Sequence, residues 1–132
     1  MTRLLTALLA ASGIALASVA GAQTMSKEAY GAEKDKADAA YKAEKERCDT
    51  LSGNAKDICQ AQAKAKRDVA KADLEAQYKN TADARRDASK KKAEAEYDVA
   101  KERCDDLAGN AKDVCKKDAK AAFEKAKANV KA

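Results

Sequence analysis

The feature that most constrains the fold of this chain is a duplicated phrase that carries all four of its cysteines. KERCDTLSGNAKDIC occupies positions 45–59, and KERCDDLAGNAKDVC occupies positions 101–115. The alignment extends without a gap over residues 41–74 and 97–130, with slightly more than half of the positions identical. The chain therefore contains an internal duplication. Its offset of 56 residues is eight heptads, so the second copy keeps the helical phase of the first.

A Gly-Asn pair at the centre of each phrase predicts a turn between two helices. Gly53 and Gly109 suit the left-handed position that follows the last residue of a helix. Asn54 and Asn110 can then cap the helix that begins next. Each phrase is therefore expected to form the tip of an antiparallel helical hairpin.

The cysteines lie symmetrically about these two turns, which predicts local disulfides. Cys48 and Cys59 flank the first Gly-Asn pair, and Cys104 and Cys115 flank the second. Packed helix axes lie about 8–10 Å apart, whereas bridged cysteines need Cα atoms about 4.4–6.8 Å apart, so bridging is easiest close to a turn. We expect Cys48–Cys59 and Cys104–Cys115. The alternatives join the two tips, through crossed disulfides or a four-cysteine zinc site, although C-x10-C is not a usual zinc spacing.

The composition predicts an all-α fold. The chain is rich in alanine, lysine and glutamate, which favour helix, and charged residues make up 37% of it. It contains no proline, the residue that most disfavours the interior of a helix. Large apolar side chains are few, and burying them cannot by itself offset the conformational entropy of ordering the chain. Disorder is the alternative, and helical hydrogen bonds with disulfide cross-links are what would prevent it.

The N-terminus reads as an export signal. Arg3 precedes an apolar run over residues 4–20, and Ala-Gly-Ala at 20–22 supplies the small residues that signal peptidase requires. We expect residues 1–22 to be a cleaved signal peptide, the alternative being an uncleaved anchor. Export to the periplasm would place the thiols in an oxidising compartment, where disulfides persist. The remaining chain divides into hairpin repeats at residues 23–80 and 81–132.

The sequence between the two tips allows two architectures. No glycine or proline occurs from residue 55 to residue 107, and the middle of the helical seam is polar. Both features favour one long central helix shared by two disulfide-stapled hairpins, which is the arrangement we expect. However, KNTAD at 79–83 lies midway between the two Gly-Asn pairs, and a third turn there would give an antiparallel four-helix bundle.

Nothing in the sequence points to catalysis. There is no histidine, which is the commonest general base and metal ligand, and no phosphate-binding loop or nucleophile motif occurs. We therefore expect a protein that is not an enzyme and that uses no cofactor or metal. The densest basic stretch contains candidate contacts for an anionic lipid or glycan surface: Arg85, Arg86, Lys90, Lys91 and Lys92. The plainer interpretation of this stretch is a solvated helix face, and the lack of an aromatic residue within it argues against nucleic acid.

The phrase C-D-x-L-x-G-N-A-K-D-x-C, at 48–59 and 104–115, resembles one in small exported Ala/Lys-rich helical proteins of Gram-negative bacteria, of uncharacterised role. The Ala/Lys/Glu/Asp-rich remainder resembles the helical stalk of the cell-envelope protein TolA, and such proteins are sometimes labelled TolA-like. The resemblance implies a place in the cell envelope and implies no reaction.

The expected function is that of a periplasmic structural or interaction module of the envelope, with an envelope protein or an anionic envelope surface as partner and with self-association allowed. Two alternatives remain open at this point. One is a stress protectant like the late-embryogenesis-abundant proteins, which are soluble, charged helix formers. The other is a weak binder of anionic membrane or glycan surfaces.

Overall fold

A computed structural model describes residues 25–131, so the predicted signal peptide at 1–22 lies outside the described residues. The described chain forms four α-helices and no strand. They are α1 (Lys27–Cys48), α2 (Gly53–Lys79), α3 (Ala82–Cys104) and α4 (Gly109–Lys131). The predicted all-α fold with two disulfide-stapled hairpins is confirmed. None of the helices within residues 25–131 is long and apolar enough to cross a membrane.

The predicted long central helix is wrong, because the chain turns between α2 and α3. Asn80 adopts left-handed dihedral angles (φ 48°, ψ 36°), and its N–H donates to the carbonyl of Ala76 at 2.9 Å. Thr81 then caps α3, since its Oγ1 accepts a hydrogen bond from the N–H of Ala84 at 3.1 Å. Asparagine is the residue that most readily replaces glycine at a left-handed helix terminus, so the missing glycine did not prevent the turn.

The four helices run up, down, up and down, and within residues 25–131 each packs only against its neighbours in the sequence. The bundle is therefore open, because α1 and α4 form its two edges and do not meet. Since α1 and α3 run in the same direction, the two Gly-Asn turns lie at the same end of the molecule. The turn at Asn80–Thr81 lies at the opposite end.

The interior of this bundle is made of small residues. The buried side chains are those of two cysteines and six alanines: Cys48, Cys104, Ala63, Ala76, Ala84, Ala88, Ala93 and Ala95. Alanines on facing helices let the backbones approach closely, but they bury little apolar area. Cross-links between helices are therefore important for the stability of this fold.

The two hairpins differ in one side-chain pair that joins their arms at equivalent positions. In the second hairpin Tyr97 stacks on Phe123, with ring centroids 4.9 Å apart. The equivalent positions of the first hairpin hold Tyr41 and Arg67, whose guanidinium carbon lies 4.2 Å from the tyrosine ring centroid. One register thus accommodates an aromatic stack in one hairpin and a cation–π contact in the other.

Candidate interaction surface at the paired disulfide tips

Each duplicated phrase forms one tip, which we call tip 1 (residues 48–59) and tip 2 (residues 104–115). Cys48 and Cys59 are bonded, with Cα atoms 5.4 Å apart, and Cys104 and Cys115 are bonded, with Cα atoms 5.6 Å apart. The predicted local pairing is confirmed, and the crossed and zinc-bound alternatives are excluded in this structure. The first cysteine of each pair is only 1% exposed, so each disulfide is anchored in the interior on that side.

The backbone of both tips follows one pattern, because the helix C-terminus tightens before the turn. In tip 1 the N–H of Leu51 donates to the carbonyl of Cys48 at 3.0 Å, and in tip 2 the N–H of Leu107 donates to that of Cys104 at 3.1 Å. These bonds satisfy carbonyls that a helix end would otherwise leave without a partner. The duplicated sequence therefore gives two copies of one local structure.

The glycines of the two tips are left-handed, as predicted. Gly53 has φ +58° and Gly109 has φ +54°. Each is the first residue of the helix after the turn, whereas we expected it to follow the last residue of the helix before the turn. Any residue with a Cβ would be strained at either position, although there is open space around both.

The role expected for Asn54 is corrected by its contacts. It lies within α2, whose N-cap is Ser52. Its side-chain Nδ2 donates to the carbonyl of Glu102 at 2.9 Å and to Oδ1 of Asp106 at 2.6 Å. Asn54 therefore links the two tips side by side. Its sequence equivalent, Asn110, lies on the edge helix α4 and has no further helix beside it within residues 25–131.

The aspartate after the first cysteine of each tip forms an ion pair with a lysine of the following helix. Asp49 lies 3.1 Å from Nζ of Lys56, whose hydrogen bond is the main cause that lowers the pKa of this carboxyl. Asp105 lies 2.8 Å from Nζ of Lys112 and 2.8 Å from Nζ of Lys116. Hydrogen bonds from Lys112 first and Lys116 second lower the pKa of Asp105 to about 2.

Both tips expose a leucine side chain at the turn. Leu51 and Leu107 occupy equivalent positions, and each is 44% exposed. Because the tips share one end of the molecule, the two leucines, two disulfides and two ion-paired aspartates form a repeated surface. We call it the paired-tip surface. It combines exposed apolar side chains with charged ones.

The predicted basic contacts lie along α3, away from the tips, and most are paired locally. Arg86 pairs with Asp83, Lys90 with Asp87 at 3.2 Å, and Lys91 with Glu94 at 2.7 Å. Nη1 of Arg85 donates to Oδ1 of Asn80 at 3.0 Å. Lys92, the last member of the stretch, has no ion-pair partner within residues 25–131. A role of this stretch in binding an anionic surface stays a prediction.

A second concave region, which we call the polar groove, lies between α1, α2 and α3 and has a volume of about 540 Å³. Its lining includes Tyr41 and five carboxylates: Asp57, Asp68, Glu94, Asp98 and Glu102. Lysines at 91 and 101 pair with two of these carboxylates. No group of three or more metal-ligating side chains suited to a metal ion occurs among residues 25–131.

No protein-family model, curated protein or solved structure matches the chain.

Proposed function

We propose that this protein is an exported, non-enzymatic helical module of the bacterial cell envelope, and that it binds an envelope protein through the paired-tip surface. The observation that carries the proposal is the side-by-side arrangement of two copies of the same tip. Each copy exposes a leucine, and Asn54 holds the copies together through Glu102 and Asp106. Two equivalent contacts with one partner reinforce each other without either being strong.

The chemistry of the tips supports a surface for binding. Leu51 and Leu107 are exposed at positions where the duplicated phrase keeps leucine in both copies. The neighbouring aspartates, Asp49 and Asp105, already have lysine partners, so these two carboxylates do not require a ligand ion. The disulfides support the export part of the proposal, because such bonds persist in oxidising compartments.

A site-specific photo-crosslinking experiment in the exporting cell tests this proposal. A photoreactive phenylalanine derivative replaces Leu51 in one variant, Leu107 in a second, and Ala32 in a control. Ala32 is exposed on the outer side of α1, far along the helix from the tips. We expect periplasmic adducts of the same mass from both leucine positions and none from Ala32. Adducts confined to the control position, or no adduct from either tip, would contradict the proposal.

A stress protectant is the alternative to an interaction module, and it predicts a different solution behaviour. A protectant of this composition gains helix only on drying or in alcohol. A module with stapled tips is helical in dilute buffer, because its disulfides and caps act without a cosolvent. Circular dichroism of residues 23–132 in dilute buffer therefore separates the two. A spectrum typical of a random coil would favour the protectant.

A further inference from the structure

A groove of about 1070 Å³ lies over α3 between α2 and α4, on a different side of the α2–α3 pair from the polar groove. It is lined by one valine from each of the three helices, Val69, Val99 and Val114, and we call it the valine groove. Alanines fill most of the space between the valines: Ala65, Ala95, Ala100, Ala111, Ala119 and Ala122. Val114 is 46% exposed, so part of this apolar lining faces water.

The register of the helices gives the direction of the valine groove. Asn54 bonds to Asp106, so neighbours across α2 and α3 have residue numbers that sum to about 160. Tyr97 stacks on Phe123, so neighbours across α3 and α4 have numbers that sum to about 220. These two sums place any residue of α2 or α4 at a level along α3.

The three valines form a diagonal line across the helices. Val69 is level with position 91 of α3, Val114 is level with position 106, and Val99 lies midway between these levels. The ends of the line are about 22 Å apart along the helix axes and about 18 Å apart across them. The apolar line is therefore inclined to the helices by roughly 40°, and Val99 lies at its centre.

The charges at the two ends of this line differ in sign. Lys66 and Lys92 line the groove near Val69, whereas Asp118 lines it near Val114. Lys66 pairs with Glu44 at 3.0 Å, but Lys92 and Asp118 have no ion-pair partner within residues 25–131. Arg103 and Glu96 also line the groove and lie on either side of Val99 along α3, so their charges balance near the centre.

A second copy of this chain fits that pattern. Consider a two-fold axis that passes through Val99, lies in the plane between the two copies and is perpendicular to the valine line. It exchanges the ends of that line, so Val69 of one copy lies on Val114 of the other. The same rotation brings Lys92 of each copy close to Asp118 of the other, which makes two symmetric ion pairs. A two-fold axis along the valine line instead brings Lys92 near Lys66 of the second copy, which is repulsive. That second arrangement also brings Asp118 near Arg103, so it pairs Asp118 but sets Lys92 against a like charge. Only the first arrangement gives both Lys92 and Asp118 an opposite charge, and we choose it for that reason.

The available area suffices for a stable pair. Helices α2, α3 and α4 contain 27, 23 and 23 residues, and at ordinary helix spacings they present a face of roughly 900 Å². A standard protein interface buries about 800 Å² on each partner. A layer of helices with one apolar face usually buries that face against a second layer, and here the second copy supplies it.

We propose that two copies of this chain pair face to face through their valine grooves, with Val99 on the two-fold axis and Lys92 opposite Asp118 of the second copy. The Cys104–Cys115 disulfide of tip 2 lines the valine groove, but Leu51 and Leu107 do not, so the pairing leaves both tip leucines uncovered and goes beyond the binding role proposed above.

Sedimentation equilibrium of residues 23–132 with intact disulfides tests the pairing. We expect a monomer–dimer equilibrium, and Val99→Asp should raise its dissociation constant at least about tenfold because it buries a charge on the axis. Ala61→Asp is the matched control, since Ala61 lies in the polar groove and should leave the constant unchanged. Circular dichroism of both variants confirms that each is folded.

A charge exchange tests the arrangement within the pair. Lys92→Glu alone and Asp118→Lys alone should each weaken the dimer, because each places like charges opposite one another. The double variant should restore it, since the two symmetric pairs are reformed with reversed signs. A monomer at all concentrations, a dimer insensitive to Val99→Asp, or no restoration by the double variant would each overturn the proposal.

Discussion

Asn54 and Asn110 show at the scale of single residues that an identical sequence can have different consequences. Both follow the left-handed glycine of the duplicated phrase. Asn54 faces α3 and donates to Glu102 and Asp106, whereas Asn110 lies on an edge helix. The difference arises from the position of each helix in the bundle.

Substitution of these two asparagines is expected to have unequal effects. Asn54→Ala removes two hydrogen bonds between the tips, one of them to a carboxylate, and should lower the free energy of unfolding by roughly 1–2 kcal/mol. Asn110→Ala is the matched control and should change it by less than about 0.5 kcal/mol. Urea denaturation of both variants measures the difference. Equal losses would show that Asn54 does not link the tips in solution.

The titration of Asp105 is expected to depend on its two lysines. Its pKa is about 2 in the folded chain and 3.8 ordinarily, so the contribution of this carboxylate to stability is present above about pH 4. That contribution is lost as the pH falls through about 2. NMR titration of the carboxyl carbon should show the low pKa, and the variant Lys112→Ala/Lys116→Ala should raise it toward the ordinary value. An unchanged pKa in that variant would contradict this assignment of cause.

At the scale of helices and turns, the disulfides stabilise hairpins whose alanine interfaces bury little area. Cys59→Ser is expected to lower the free energy of unfolding by about 2–4 kcal/mol, since the bond closes a short loop in the unfolded chain. Cys59 is the better position to change because it is partly exposed, whereas Cys48 is buried. Thermal denaturation with and without reductant measures the effect. A variant as stable as the parent would show that the hairpin does not need its cross-link.

The turn between α2 and α3 depends on one left-handed residue. Asn80→Ala should lower the free energy of unfolding by about 1–2 kcal/mol, because a Cβ-bearing residue without a local hydrogen bond is strained at φ +48°. Asn80→Gly is the control, since glycine adopts these angles freely and should keep most of the stability. Chemical denaturation compares the two. If Asn80→Ala is the more stable, a continuous central helix forms in solution and the turn does not.

At the scale of the whole molecule, the open bundle gives its helices unequal numbers of neighbours. Within residues 25–131, α2 and α3 each pack against two helices, whereas α1 and α4 each pack against one. Local opening of an edge helix breaks fewer contacts, so the edges should open at a lower free energy.

Hydrogen exchange is expected to reveal this difference between the helices. Backbone amides in the middle of α2 and α3 should exchange more slowly than those in the middle of α1. The measurement uses the lowest concentration that detection allows, so that pairing between copies does not protect the grooves. Exchange followed by mass spectrometry resolves the helices through peptides on either side of Asn80. Uniform protection along the chain would indicate a closed bundle in which α1 meets α4.

The sequence by itself determined what depends on nearby residues. A composition rich in helix-forming residues favours helices even without a large core. A glycine can adopt left-handed dihedral angles without strain, so it allows a turn between two helices. The symmetry of Cys48 and Cys59 about their turn was sufficient to predict their bond, since both ends of that loop lie within the same phrase. The duplication guaranteed that Cys104 and Cys115 would do the same.

Only the tertiary structure decided what depends on contacts between distant segments. The break at Asn80 and Thr81 is weakly signalled, and it forms because folding back lets Ala76 pack against Ala84 and Ala88. The link from Asn54 to Asp106 and the diagonal line of three valines join residues far apart in the chain. No local pattern encodes such neighbours, because they follow from the packing of whole helices in register.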